Sequence, residues 1–201
     1  MARISKIEQV LKLVRQAGVV RPKDLTRHGM APTYLQRLRE RGLLTQPGRG
    51  LYTVAEHEPS AHHTLASVCK CVPQGVVCLL TALRFHDLGT QNPSEVWLAI
   101  DRKAARSTAG GLPVRFVRFS GRALKEGVEE RIIEGVTVRI TSPAKTVVDC
   151  FKYRNKVGLD VGLEALRDGW RSRKLKMGDL TRFAKICRVA NVMRPYVESL
   201  T

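Results

Sequence analysis

Asp87, Asp101 and Lys103 are the side chains of this sequence whose types and order could do chemistry. An acid followed by D-x-K at the end of an apolar run is how restriction-like endonucleases hold a divalent metal and activate water. The run "VWLAID" brings Asp101 to such an end, but Asp87 falls on a helical stretch with no further acid beside it. The ordinary reading is that Asp101 pairs with Arg102 or Lys103 or caps a turn. Lys145 and Asp149 stand four apart, on one face of a helix. A catalytic pair is the sharper reading of them, and an intrahelical ion pair the ordinary one. His86 follows Phe85 on a mostly apolar stretch and reads as a hydrogen-bonded structural histidine. Cys69 and Cys71 have one residue between them, poor spacing for zinc even with His62 and His63 nearby. Cys150, beside Phe151, reads as core, and Trp97 and Trp170 read as core or interface anchors. "TAGGLP", residues 108–113, is a turn rather than a phosphate loop. No catalytic residue, metal ligand or cofactor is therefore expected, and the chain is not expected to be an enzyme.

Charge points to a different activity. The 201 residues carry 35 Lys+Arg against 18 Asp+Glu, a formal net charge of +17. That balance favours a polyanionic partner, with a merely soluble basic protein as the alternative. Residues 1–58 hold 11 basic and 5 acidic side chains, residues 59–149 hold 12 and 8, and residues 150–201 hold 12 and 5, so both ends are basic. Hydrophobic residues make up 43%, enough for a packed core. Five cysteines with no C-x-x-C pair, no targeting segment and no apolar run of membrane length lead us to expect reduced thiols and a cytoplasmic location.

The first sixty residues supply elements that could present this charge. Ile4, Ile7, Val10, Leu11 and Val14 recur at helical spacing over residues 3–17, and Gly18 stops the helix. Pro22 opens a short second helix holding Leu25, with Gly29 at its end. Pro32 opens a third, in which Leu35 and Leu38 point inward and which Gly42 terminates. Its other face offers Thr33, Tyr34, Gln36, Arg37 and Arg41, groups that donate to base edges and phosphates, with Glu40 as its single acid. Three short helices with a tight turn before the last suggest a helix-turn-helix. A plain three-helix bundle with a solvated polar face is the rival. "GLLTQPGRGLYTV" follows: Leu43–Gln46 and Leu51–Val54 pair as strands around Pro47-Gly48-Arg49-Gly50. This hairpin reads as the wing of a winged helix, with Arg49 aimed at the DNA backbone or a narrow minor groove.

Beyond a polar linker at residues 55–64 the pattern is mixed. Residues 78–88 read as helix, 95–101 as a buried strand, 112–119 as another, and 131–140 as a hairpin turning at Glu134-Gly135. Ser142-Pro143 opens a helix to about Arg154, and residues 160–171, 178–189 and 191–200 are further helices. The expected fold class is α+β: an N-terminal winged helix-turn-helix domain, residues 1–58, then a mixed α/β domain, residues 59–201, with a small sheet and several C-terminal helices. Residues 167–188 concentrate Arg167, Arg171, Arg173, Lys174, Lys176, Arg182, Lys185 and Arg188. Of these, Arg171, Arg173, Lys174 and Lys176 are expected to add contacts to the DNA backbone. A partner protein, RNA, or no partner at all are the alternatives; few aromatics are interleaved for base stacking.

"LLTALRFHDLGTQNPSEVWLAI" followed by "TSPAKTVVDCFKYRNKVGLDVGLEALRDGW" resembles the AbiEi antitoxins of type IV toxin–antitoxin systems, and the N-terminal part ending in "GRGLYTV" is similar to their DNA-binding module. "SPAKTVVDCFKYR" is the most specific stretch, since a generic winged helix would not predict it. The resemblance implies an antitoxin and autorepressor that binds inverted repeats in its own promoter. Its genetic partner would be a nucleotidyltransferase-like toxin, its antitoxicity would reside in the C-terminal domain, and its operon would belong to phage resistance. It carries no list of toxin-facing residues. No heptad or long apolar stripe marks a dimer interface, so a monomer in solution, with two copies on an inverted repeat, is expected. A metal-dependent nuclease, a stand-alone winged-helix regulator and an RNA-binding protein are the alternatives.

Overall fold

The computed structural model describes residues 5–55, 62–105 and 108–200. The chain divides into two compact units: one runs to Pro73 and takes in the short segments ending at Leu112 and Val138, and the rest forms the other.

The first unit opens on α1 (Lys6–Ala17), whose start is a capping box. The Ser5 hydroxyl accepts from the Glu8 N–H at 3.2 Å while the Glu8 carboxylate accepts from the Ser5 N–H at 2.8 Å. The helices α2 (Pro22–Arg27) and α3 (Thr33–Glu40) follow, then β1 (Leu44–Gly48) and β2 (Leu51–Val54). Val10, Val14, Val20, Leu25, Leu35, Leu38 and Leu44 form one buried cluster with Ile7 and Leu11 packed half-buried against it, as the spacing anticipated, while Ile4 lies outside the described residues. Val20 and Tyr52 exchange two main-chain hydrogen bonds, at 3.0 and 2.9 Å, and add a rung to the outer side of β2.

The hairpin departs from expectation at both ends. Leu43 stays outside the strand and 40% exposed, and β1 continues through Pro47 to Gly48. Gly48 pairs with Leu51, so the turn is only Arg49-Gly50, and the register shifts between Thr45 and Gly48. The irregularity absorbs Pro47, which has no N–H to give to a ladder. Within the expected linker, residues 56–61 lie outside the described residues. His63 begins α4 (His63–Cys71), a helix the polar run beside it concealed.

The sheet that dominates the second unit has the order β5-β4-β3-β7-β6. Its strands are β3 (Val76–Val77), β4 (Val96–Asp101), β5 (Val114–Phe119), β6 (Val128–Ile133) and β7 (Val136–Thr141). The central β3 runs antiparallel to β4 and parallel to β7, and β4 runs parallel to β5 in register from Val96–Val114 to Asp101–Phe119. The turn between β6 and β7 holds Glu134 at φ 48° and Gly135 at φ 73°, the pair of positive angles a two-residue hairpin requires. This turn, within Arg131–Val138, groups with the first unit, where it meets the end of α1. A Cβ on Gly18 would lie 1.8 Å from the Glu134 carbonyl oxygen, and one on Gly135 would lie 2.8 Å from the Ala17 carbonyl carbon.

The helices α5 (Leu79–Phe85) and the short α6 (Arg122–Lys125) lie against β4, and α7 (Pro143–Lys152) gathers α5, α9 (Leu159–Arg171) and α10 (Met177–Cys187) about it, with α8 (Arg154–Val157) beside α9 and α11 (Ala190–Glu198) beside α10. The core joins Leu79 and Leu83 of α5, Val147, Val148 and Phe151 of α7, Leu166 of α9 and Phe183 of α10. As expected, α7 opens on Pro143 with Ser142 at its N-cap, although the Ser142 side chain makes no capping bond; the helix ends at Lys152, and Arg154 opens α8. The chain is mixed α and β, with the strand-rich middle interrupted by α5 rather than cleanly preceding the helices.

Candidate nucleic-acid interface

Helix α3 is held from below by Leu35 and Leu38, both fully buried, which leaves the opposite side to solvent. Thr33, Gln36, Arg37 and Arg41 are exposed there and Tyr34 is half-buried. The Arg37 guanidinium lies 5.9 Å from the centre of the Tyr34 ring, and Gln36 Nε2 donates to Glu40 Oε1 at 3.1 Å. The one acid of this face is thus partly satisfied by its own neighbour. Arg39, which the sequence reading did not single out, donates to the Gln46 side chain of β1 and ties the helix to the hairpin.

At the hairpin tip the Arg49 side chain is exposed, and Gly50 carries the positive φ of 72° that the tight turn needs. The tip is not free-standing. The Arg49 N–H donates to the Gly110 carbonyl oxygen at 2.8 Å, and Gly110 belongs to a short 3₁₀ turn, Ala109–Gly111. A Cβ on Gly110 would come within 3.1 Å of the Arg49 carbonyl oxygen and 3.4 Å of Cys71 Sγ. "TAGGLP" is therefore a turn, as read, and its second glycine admits the close approach of another main chain.

A second set of cations in the same unit went unnoticed in the sequence. Arg21, Lys23, Asp24 and Arg27 on and before α2, Cys69 and Lys70 on α4, and Pro73, Gly135, Val136 and Thr137 line a cavity of about 380 Å³. Asp24 is its organiser. Its Oδ2 accepts from the Arg21 N–H at 3.0 Å and pairs with Lys70 Nζ at 3.1 Å, and Oδ1 lies 3.9 Å from Arg27. Burial pushes the Asp24 carboxyl up, but the Arg21 N–H, Lys70 and Arg27 together outweigh it and hold it below its ordinary value. Arg21 also reaches the carbonyls of Lys70 and Cys71, both at 3.5 Å. These groups meet across some fifty positions of sequence, which no local pattern reveals.

The expected C-terminal basic set lies in the second unit. Arg171 ends α9, Arg173 sits in the following turn at φ 56°, and Lys176 precedes α10; all three are exposed. Lys174 differs: its ammonium donates to the His86 carbonyl at 2.5 Å and lies 4.0 Å from the Asp87 carboxylate, so part of its charge is engaged.

The chemistry-bearing residues resolve into structure. Asp87 follows α5 with φ 51° and faces Lys174. Asp101 accepts from the Lys103 N–H at 2.8 Å, and Arg118 donates to the Asp101 carbonyl at 2.8 Å, so the D-x-K letters form a capped turn. Among the described residues no group of three or more His, Cys, Asp or Glu is placed to hold a metal ion. His63 Nδ1 lies 2.7 Å from Glu134 Oε2, and His86 Nε2 lies 2.7 Å from the Thr141 carbonyl, the structural hydrogen bond expected of it. Lys145 Nζ donates to both Asp149 oxygens, at 2.6 and 2.5 Å, as an intrahelical pair with neither side chain exposed. Burial pushes Asp149 above its ordinary value against the pull of Lys145. Cys150 is core, and burial lifts the Cys69 and Cys187 thiols to about 12, far from thiolate reactivity.

Comparison with known proteins places these observations. Among the described residues no helix is long and apolar enough to cross a membrane. No curated protein matches the chain. Among solved structures, the fold is similar to the crystal structure of the RV2827C protein from Mycobacterium tuberculosis, with a TM-score of 0.60 and 16% identity over 92% of this chain and 73% of that one. The segment from α1 through the hairpin, residues 8–55, matches the family model of the transcriptional regulator AbiEi antitoxins, the family that the sequence motifs resemble.

Proposed function

We propose that the chain is an antitoxin and a DNA-binding autorepressor of a type IV toxin–antitoxin operon, in which residues 1–58 act as a winged helix-turn-helix. The observation that supports this most is the solvent face of α3, where Thr33, Tyr34, Gln36 and Arg37 crowd near the helix start over two buried leucines. In the major groove these side chains read base edges, Arg37 through the bidentate geometry that guanine offers. Arg41 at the end of α3 and Arg49 at the wing tip then neutralise phosphates or enter a neighbouring narrow minor groove. The match over residues 8–55 supports the regulator and antitoxin reading. Antitoxicity is assigned to residues 59–201, some of whose elements, α4 and the β6–β7 turn, also complete the first unit. The opposing partner is a nucleotidyltransferase-like toxin, the operator is an inverted repeat, the protein is a cytoplasmic monomer that loads two copies on it, and the chain has no catalysis of its own. The turn around Asp101 supports that last point by giving D-x-K a structural task.

The test is fluorescence-anisotropy titration of the chain's own promoter and of a random duplex. Arg37→Ala should cost about 1–3 kcal/mol on the promoter and clearly less on the random duplex. Equal losses would move Arg37 to the phosphate contacts, and no binding to either duplex would end the repressor reading.

A further inference from the structure

The cavity between α2 and α4 holds four cations, Arg21, Lys23, Arg27 and Lys70, around one carboxylate. Asp24 cannot neutralise them. It takes Lys70 at 3.1 Å and Arg27 at 3.9 Å, which leaves an excess positive charge in a concave site. A cluster of like charges in a recess is costly unless a counter-ion shares it, because a recess reduces solvent screening. The cluster is also built rather than accidental. Lys70 is half-buried, its ammonium is fixed by Asp24, and the Arg21 guanidinium is turned toward the α4 carbonyls. Lys23 and Arg27 stand exposed at the rim.

We propose that this cavity is a phosphate-binding site, with Lys70 and Arg21 as the inner donors, Lys23 and Arg27 closing the rim, and Asp24 positioning Lys70. Arginine and lysine side chains lining a cavity of about 380 Å³ fit a tetrahedral oxyanion, since Arg donates through a planar fork and Lys as a point charge. The phosphate can come from a DNA backbone or from a free phosphorylated molecule. Under the proposed function the backbone is the natural source, because α2 precedes the reading helix by one turn. In that form the inference rests on that reading. Lys70 and the β6–β7 backbone, which complete the site, lie beyond the segment that the family model matches.

The experiment uses the full chain with two separate single variants, Lys23→Gln and Lys70→Gln, and the exposed Lys125→Gln as a control for loss of a charge elsewhere. Binding of a random-sequence 30-base-pair duplex is titrated at several salt concentrations, and binding of inorganic phosphate and of adenosine monophosphate is measured by calorimetry. Each cavity variant should make the duplex salt dependence shallower by about 0.9 in log–log slope, the value for one phosphate contact, while Lys125→Gln leaves it unchanged. Arg37→Ala in the same assay reports on α3 separately. If duplex binding is insensitive to the cavity variants but phosphate or nucleotide binding is lost in them, the site is confirmed with a free ligand as its source. That outcome stands even if the chain proves not to bind DNA. Among the described residues Lys23 makes no ion pair in the cavity, so Lys23→Gln tests the site without disturbing Asp24. Wild-type binding of duplex, phosphate and nucleotide by both cavity variants would overturn the proposal.

Discussion

Replacing Lys145 by methionine leaves the Asp149 carboxylate alone in the core of the second unit. Both side chains are at 0% exposure, and the ammonium donates to both carboxylate oxygens at 2.6 and 2.5 Å. At an effective dielectric constant of about 20, charges about 3 Å apart attract by roughly 5 kcal/mol. The ions were stripped of water to reach that site, so the pair as a whole is worth far less than this attraction. Removing one member exposes the difference. The lone carboxylate keeps the Cys187 thiol at 3.5 Å, a weak donor, and the more distant charge of Lys152, and Lys145→Met should destabilise the unit by about 3–5 kcal/mol. Asp149 can escape by taking up a proton. Its pKa is already raised by burial and rises further without Lys145, so the folded variant binds more protons than its unfolded chain above the ordinary carboxylate range. Stability of the variant therefore falls as pH rises from that range through the raised value. The double variant Lys145→Met/Asp149→Leu removes both charges and should lie within about 1–2 kcal/mol of the parent. The assay is urea unfolding followed by tryptophan emission, since Trp97 and Trp170, the two tryptophans of the chain, both belong to the second unit. A single variant costing less than about 1 kcal/mol, or a double as unstable as the single, would refute the reasoning.

Three further outcomes are expected. Arg49→Ala should weaken duplex binding and make its log–log salt slope shallower by about one unit, whereas Gly110→Ala, which crowds the Arg49 carbonyl, should produce a similar loss and add little to it in combination. Neutralising Arg171, Arg173, Lys174 and Lys176 together should lower promoter affinity and flatten its salt dependence without changing sequence preference; unchanged affinity with lost toxin neutralisation would reassign the patch to a protein partner. Asp24→Asn should cost about 0.5–1.5 kcal/mol at pH 7 in chemical denaturation. Because the folded Asp24 carboxyl titrates below its ordinary value, that contribution is present above the unfolded pKa and vanishes as pH falls through the folded one.

The helices of the first unit were legible because their apolar residues recur at helical steps between glycines that demand positive φ, as at Gly18, Gly29 and Gly42. The hairpin was legible but not its turn, since a proline inside a strand argues against that strand until a register shift accommodates it. Central β3 escaped notice for a physical reason: two valines buried on both faces show no alternation. The spacing of Lys145 and Asp149 announced their pairing, whereas nothing in it announced their burial, because lysine rarely enters a core. The exposed face of α3 could be read from its own sequence. The cavity around Asp24 could not, since Lys70 meets α2 only through tertiary packing.

The contact between the β6–β7 turn and the end of α1 also sets an order of events during synthesis. Ala17, Gly18, Glu134 and Gly135 interlock with no room for a β-carbon at either glycine, yet more than a hundred residues separate them. A growing chain can collapse Val10, Val14, Leu25, Leu35 and Leu38 early, from neighbours in sequence. The unit is closed only after Val138 has left the ribosome, some sixty-five residues later than Pro73. At about 5–20 residues per second this delay lasts roughly 3–13 s. For that interval the nascent helices stand without the strand turn that seals α1, and long-range closure of this kind is the slow step that topology imposes on folding.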